Sequence, residues 1–404
     1  MRVWKLGLSL SGVLSLAGGL SQALADETAD SSTSDKQVAK IQRLFSPRWP
    51  ISLRGWVDGG HTYNTANPTS QFNGPYNAVD RDIPQLNQAY FVVEKELRGT
   101  TGLELGGRID AMYGYDYFLT QSNGIERNQS GSPKWNREQH GFAIPQAYVQ
   151  AGNQTFSVKA GHFYTVVGYE GVPAPTNFFY SKSYSYQFAG PFTHWGGLAT
   201  WNLTSQWLLQ GGVVNGWDSF DRQSDKPAYM LNAKYTRKDK LFTGSLAMIT
   251  GEEPTGVALQ TAQRTRYSAI VSLQPTDRVE YVLHHHYAYQ EKGRVGRGVA
   301  RWYGIDQYLY YRFHQKAKAG LRFEWFRDEA GTRVGGSSVR GNPNLAPFAG
   351  SFYSGTAGVN YYPHPNITLR PEVRYDRFTG ARNPYNDARS KHQVLLAINA
   401  YLQF

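Results

Sequence analysis

The chain ends in Val394-Leu-Leu-Ala-Ile-Asn-Ala-Tyr-Leu-Gln-Phe404. Alternate members Val394, Leu396, Ile398, Ala400, Leu402 and Phe404 put apolar groups on one side of a strand, because successive side chains of extended backbone point to opposite faces. A strand with one wholly apolar side and an aromatic last residue suits a face turned to lipid, with the ring at the membrane interface. The expectation is a bacterial outer-membrane β-barrel.

The opposite end agrees with that address. Arg2 and Lys5 form a basic n-region, Leu6 to Leu20 an apolar run and Ala23-Leu24-Ala25 a small-x-small cleavage site, so residues 1–25 are expected to be a signal peptide. The apolar run is shorter than the ~20 residues of a spanning helix. Residues 26–50 read as a polar periplasmic segment, disordered at first and then a short helix or lumen plug over 36–45, leaving 51–404 for the barrel. No cysteine is present, which excludes a lipoprotein, disulfides, a thiolate nucleophile and a Cys-ligated metal.

Mean hydropathy is −0.52, low for a membrane protein crossed by helices, and beyond the signal no run of ~18 apolar residues occurs. A barrel removes the conflict, since lipid-facing and lumen-facing residues alternate and average out. The 28 Tyr, 20 Phe and 10 Trp suit strands with aromatic girdles.

Period-2 patterning predicts an all-β, up-and-down antiparallel barrel of about sixteen strands, with fourteen to eighteen allowed. Short turns near 97–101, 151–154, 202–206, 237–240, 274–278, 313–316 and 363–366 alternate with long polar stretches, as short periplasmic turns alternate with outer loops. Where the alternation is clean it assigns faces. Leu103, Leu105, Ile109 and Ala111 oppose Glu104, Arg108 and Asp110; Ile51, Leu53 and Val57 oppose Arg54 and Asp58. Ala319, Leu321, Phe323 and Trp325 oppose Lys318, Arg322 and Glu324, and Ile367, Leu369, Val373 and Tyr375 oppose Arg370, Glu372, Arg374 and Asp376. An Arg or Lys at the midplane of the lipid face costs ~2–4 kcal/mol. The predicted pore lining is therefore Arg54, Asp58, Glu104, Arg108, Asp110, Lys159, Arg322, Glu324, Arg370, Glu372, Arg374 and Asp376. A barrel of this size leaves an aqueous lumen.

The segment His162 to Trp195 is long, aromatic and proline-bearing, features of an ordered functional loop. It is expected to fold into the lumen as a constriction carrying Glu170, Asn177, Tyr180, Lys182 and His194, the alternative being a loop that caps the barrel from outside. Within it, Gly168-Tyr-Glu170, Asn177-Phe-Phe-Tyr-Ser181 and Gly190-Pro-Phe-Thr-His194, followed by a Gly-rich strand, resemble the OmpL-like β-barrel porin family. The resemblance implies an outer-membrane porin-like protein and leaves solute and selectivity open.

The formal charge is +11, or +9 after removal of Arg2 and Lys5 (11 − 2). Much of the excess lies in 294–301 and 332–340, where cations would meet anionic lipopolysaccharide. An exported barrel gives nucleic acid no role. Inward acids nearly match inward bases, but Arg54, Arg322, Arg370 and Arg374 come from neighbouring strands, so a one-sided basic wall and a mild anion preference are expected. His284-His285-His286 suggests a metal, yet strand alternation sends His285 to the opposite face and leaves two imidazoles, too few for zinc. No cofactor is expected. No G-x-S-x-G, H-E-x-x-H or phosphate-binding G-x-x-x-x-G-K occurs. The expected function is passive diffusion of small hydrophilic solutes or ions, without enzymatic activity and with homo-oligomers open. A barrel hydrolase and a plugged structural or adhesive barrel are the alternatives.

Overall fold

The computed structural model describes residues 51–404 except 77, 129–131, 136–138, 223, 256, 258–259, 295–297 and 336–346. The expected signal peptide and N-terminal segment lie outside the described residues. Seventeen strand segments run in chain order: β1 (Ser52–Asn64), β2 (Gln85–Lys95), β3 (Glu104–Gly114), β4 (Gly141–Ala143), β5 (Ala147–Gly152), β6 (Phe156–Tyr164), β7 (Thr193–Asn202), β8 (Trp207–Val214) and β9 (Ala228–Thr236), then β10 (Phe242–Pro254), β11 (Thr261–Thr276), β12 (Val279–Gln290), β13 (Ala300–His314), β14 (Ala317–Asp328), β15 (Gly350–His364), β16 (Ile367–Gly380) and β17 (His392–Gln403). β4 and β5 both pair with β3 and are halves of one strand, broken at Pro145, which has no N–H to donate. Seventeen segments thus make sixteen antiparallel strands.

Closure is direct. β17 pairs with β1 from Trp56↔Gln403 to Asn64↔Leu395, so no sheet edge is left to satisfy in lipid. The short connections fall where the sequence places turns, including two-residue links at 277–278, 315–316 and 365–366, and the longer ones gather at the other end.

The terminal strand alternates as its sequence demands. Leu396, Ile398, Leu402 and Phe404 are exposed, whereas Gln393, Leu395, Asn399 and Tyr401 are buried inside. Leu53, Phe91, Leu105, Ile109, Val149, Leu231, Leu246, Phe323 and Val373 continue the exposed apolar belt around the wall. A belt of this extent is a liability in water and a requirement in lipid. Exposed aromatics edge it near the short turns (Phe156, Trp201, Trp207, Phe313) and near the outer ends (Tyr63, Tyr113, Tyr229, Tyr353). The Phe404 ring meets Phe91 edge-on at 5.4 Å, and its backbone exchanges hydrogen bonds of 2.9 and 3.0 Å with Gly55. Only glycine fits at 55, because a Cβ there would lie 2.4 Å from the backbone oxygen of Tyr90 as well as 2.7 Å from the Phe404 ring. Ile398→Arg is expected to destabilise the barrel by about 2–4 kcal/mol. Urea unfolding in lipid vesicles measures it, with Leu395, on the inner face, as the contrasting site.

Candidate functional site

Inward side chains divide the wall into two sectors. Across β7 to β10 they are mostly neutral, with Lys234 on β9 and Glu253 on β10 the charged exceptions: Gln210 Nε2 donates to Thr200 Oγ1 (3.1 Å), Asn232 Nδ2 to Gln210 Oε1 (2.9 Å) and Ser245 Oγ to Asn232 Oδ1 (2.9 Å). The rest of the wall carries the charges. On β14 and β16, Arg322 Nε and Arg374 Nη1 lie 2.9 and 2.7 Å from Glu324 Oε1, and Arg374 Nε donates to Asp376 (2.8 Å). Arg370 bonds Asp58 (2.9 Å) and Asn399 (2.7 Å) across the closure. A second cluster joins Arg54, Glu94, Arg108 and Asp110 on β1 to β3, with Arg108 Nε 2.6 Å from Asp110.

The segment between Tyr164 and Thr193 leaves the wall between β6 and β7 and meets the far side. Tyr180 N–H and Ser181 N–H donate to Glu372 (2.8 and 3.0 Å), Tyr184 N–H to Glu324 (2.8 Å), and Arg322 donates to Ser181 O (2.7 Å) and to Glu170 (2.8 Å). Arg370 reaches Ala174 O and Asn177 O (3.1 and 3.0 Å), and Trp302 of β13 reaches Ala189 O (2.9 Å). In the closed order β14 stands seven segments beyond β7 and β16 nine, about half the circumference. These bonds satisfy loop N–H and C=O groups that have no ladder partner, and in return the loop N–H groups stabilise wall carboxylates.

Local sequence shapes this path. Asn177 bonds the backbone of Gly171 on both sides (3.0 and 2.8 Å) and Pro173 O (2.9 Å), closing a turn around the 3-10 segment Ala174–Thr176. Ser183 caps the short helix Tyr184–Phe188 by accepting from Tyr186 N–H at 3.0 Å, while its own N–H and Oγ donate to Glu170 (both 2.8 Å). Above the ionic groups the loop packs Tyr184 and Phe188 against Phe326, Phe352 and Phe378, so the hydrophobic core lies inside the barrel. Lys182 is buried beside Tyr186, its Nζ 5.1 Å from the ring, and burial pushes its ammonium down to about 8 against the opposing pull of Glu170.

Residues 50–404 match the family described as "Putative beta-barrel porin-2, OmpL-like". The chain belongs to this family. It is similar in fold to the outer membrane channel DcaP of Acinetobacter baumannii (TM-score 0.59, 11% identity, covering 89% of this chain and 99% of that one). It also resembles OmpT of Vibrio cholerae in its trimer form (0.56, 12%, 88% and 99%) and the anion-selective porin from Comamonas acidovorans (0.55, 10%, 88% and 99%). No curated protein matches it.

Most of the predicted lining residues are gathered inside this porin-2 barrel, with three departures. Glu104 sits at a short turn, accepting from Arg98 N–H (2.7 Å) and Gly99 N–H (3.0 Å) in solvent; the strand begins there, so alternation alone overreached. His194 is not a loop residue: the β6–β7 ladder runs on to Tyr164↔Thr193, and His194 is a strand residue bonded to Gly216 O (2.8 Å) and Thr165 (3.0 Å). Nor do the arginines form an unpaired basic wall, since Arg54, Arg322, Arg370 and Arg374 each meet a carboxylate. Among the described residues, the inward cations without a carboxylate at ion-pairing distance include Lys159, Lys182, Lys234 and Arg266. Of the basic outer segments, Arg333 turns inward to Phe188 O (2.8 Å) and over Trp302, while 295–297 and 336–340 lie outside the described residues.

Sequence reasoning passed over Asp306 and Ser268, and weighed the inward histidines only as metal ligands. His284 and His286 face the lumen and His285 the outside, near Tyr267. Ser268 Oγ lies 3.0 Å from His284 Nε2, and His284 Nδ1 lies 2.9 Å from Asp306 Oδ2. The order is that of a serine-hydrolase relay, but Ser268 is 1% exposed. Asp306 also accepts from Ser185 Oγ (2.8 Å), which ties the relay to the loop as a structural bond set.

Proposed function

We propose that this porin-family chain is a passive outer-membrane channel for small hydrophilic solutes and ions, narrowed by the segment 165–192 and mildly selective for anions. The observation that carries the narrowing is the set of bonds from Tyr180, Ser181 and Tyr184 to Glu372 and Glu324, on the wall opposite the loop's origin. The anion preference rests on Lys159, Lys182, Lys234 and Arg266 rather than on the paired arginines. Small outward residues on the short-stranded side, Ala151, Ala160, Gly197, Ala199 and Gly211, are where a second copy of this chain would dock, and OmpT of Vibrio cholerae is similar in fold and has a trimer form. Lipid and lipopolysaccharide surround the rest, and the pore-lining roles of Arg54, Asp58, Arg108, Asp110 and Lys159 belong to this proposal.

Lys182 supplies the test. Its ammonium is charged below about pH 8 and neutral above, so anion preference, read as reversal potential under a salt gradient, should fall as pH rises from 6 to 9. Lys182→Met should flatten that part of the profile, and Lys182→Glu should move the potential toward cations. An unchanged potential in both variants would remove Lys182 from the ion path.

The hydrolase reading has one observation in its favour, the Ser268–His284–Asp306 order. The channel reading predicts that folded barrel is not labelled at Ser268 by a fluorophosphonate, because Ser268 is only 1% exposed.

A further inference from the structure

A cavity of about 60 Å³ lies between the loop and β11, lined by Tyr164, Glu170, Ser183, Tyr186, Phe192 and Arg266 among others. One water needs ~10–15 Å³ on this measure, so the space holds about four waters or one ion of three or four heavy atoms. Arg266 is 3% exposed, and its Nη1 donates to Val167 O at 3.0 Å. Its Nε has no partner, and no carboxylate lies at ion-pairing distance among the described residues. The buried Tyr186 hydroxyl is likewise unpartnered. The other polar groups at the cavity are already engaged. Glu170 accepts from Arg322 and twice from Ser183, and His284 has Ser268 and Asp306 at its two nitrogens. Gly190 leaves the space the guanidinium occupies, since a Cβ there would come 1.9 Å from Arg266 Nη1.

A buried guanidinium without a counter-charge is costly, and two idle donors on residues that line one small cavity call for an acceptor. A single cation matches a single negative charge, and the flat fork of arginine matches a planar oxyanion. We infer that Arg266 and Tyr186 form a binding site for a small, planar, singly charged oxyanion of the formate or nitrate class. The site deepens the channel reading by naming a solute class, and it rests on that reading for access to water.

Isothermal titration of the refolded barrel with sodium formate, at constant ionic strength in gluconate, tests it. Wild type should show one saturable site per chain. Arg266→Gln should weaken it by about ten-fold or more and Tyr186→Phe by a few-fold, as expected for loss of a charge-assisted and a neutral hydrogen bond. Heat-modifiable mobility reports folding of each variant. No saturable heat in folded wild type, or unchanged affinity in folded Arg266→Gln, overturns the site. If Arg266→Gln does not fold, unchanged affinity in Tyr186→Phe does so. Formate binding by a barrel that conducts nothing would end the channel reading alone, while conductance without binding would end the site alone.

Discussion

Replacing residues 166–191 with a short Gly-Ser linker raises single-channel conductance by a factor of about three or more, because the lumen of a barrel this size is otherwise an aqueous channel. The ladder should survive the excision, since the β6–β7 pairing extends to Tyr164↔Thr193 and each strand keeps its other neighbour. What is lost is the material between the two sides: the aromatic core around Tyr184 and Phe188 and the bonds to Glu372, Glu324 and Arg370. Arg322, left without Ser181 O and Glu170, would be hydrated by the water that enters. Planar-bilayer recordings of the two proteins give the ratio. Equal conductance would mean that current does not pass where the loop lies.

Glu324→Ala is expected to destabilise the barrel by about 3–5 kcal/mol, the cost of removing one partner from a buried ion network. One carboxylate serves three groups there: Arg374 at 2.7 Å, Arg322 at 2.9 Å and Tyr184 N–H at 2.8 Å. Its removal leaves two buried guanidiniums short of counter-charge and unlatches the helix Tyr184–Phe188. Glu324→Gln should recover part of the loss, because an amide oxygen still accepts. Glu104→Ala is the control, since Glu104 is solvated at a turn and its removal should change stability little. Urea unfolding in vesicles ranks the three, and equal stability of Glu324→Ala and Glu104→Ala would contradict the network's role.

The strands were legible because lipid and lumen impose period-2 alternation that nothing else in the chain imitates: Leu396, Ile398 and Leu402 face out while Asn399 and Tyr401 face in. The split of β4 from β5 was blurred, since Pro145 interrupts the pattern within one strand. The long loop could be singled out by its aromatics and prolines, but its partners could not. They depend on backbone groups such as Tyr180 N–H and Ala189 O, which every residue type carries, and on a path set by Asn177 and Ser183. Pairing of Arg322 with Glu170 joins residues 152 positions apart and could not be read from spacing. For the same reason Arg266, an inward arginine with no carboxylate at ion-pairing distance among the described residues, was not separable by sequence from arginines that have one.

Single-channel conductance of the refolded barrel in a planar bilayer, with a salt gradient across it, tests the central claim most directly. The account predicts discrete steps and a reversal potential of the sign that marks a mild preference for anions. Silence from verified folded barrel would contradict it and favour a plugged lumen, in which the bonds across the bore serve stability alone.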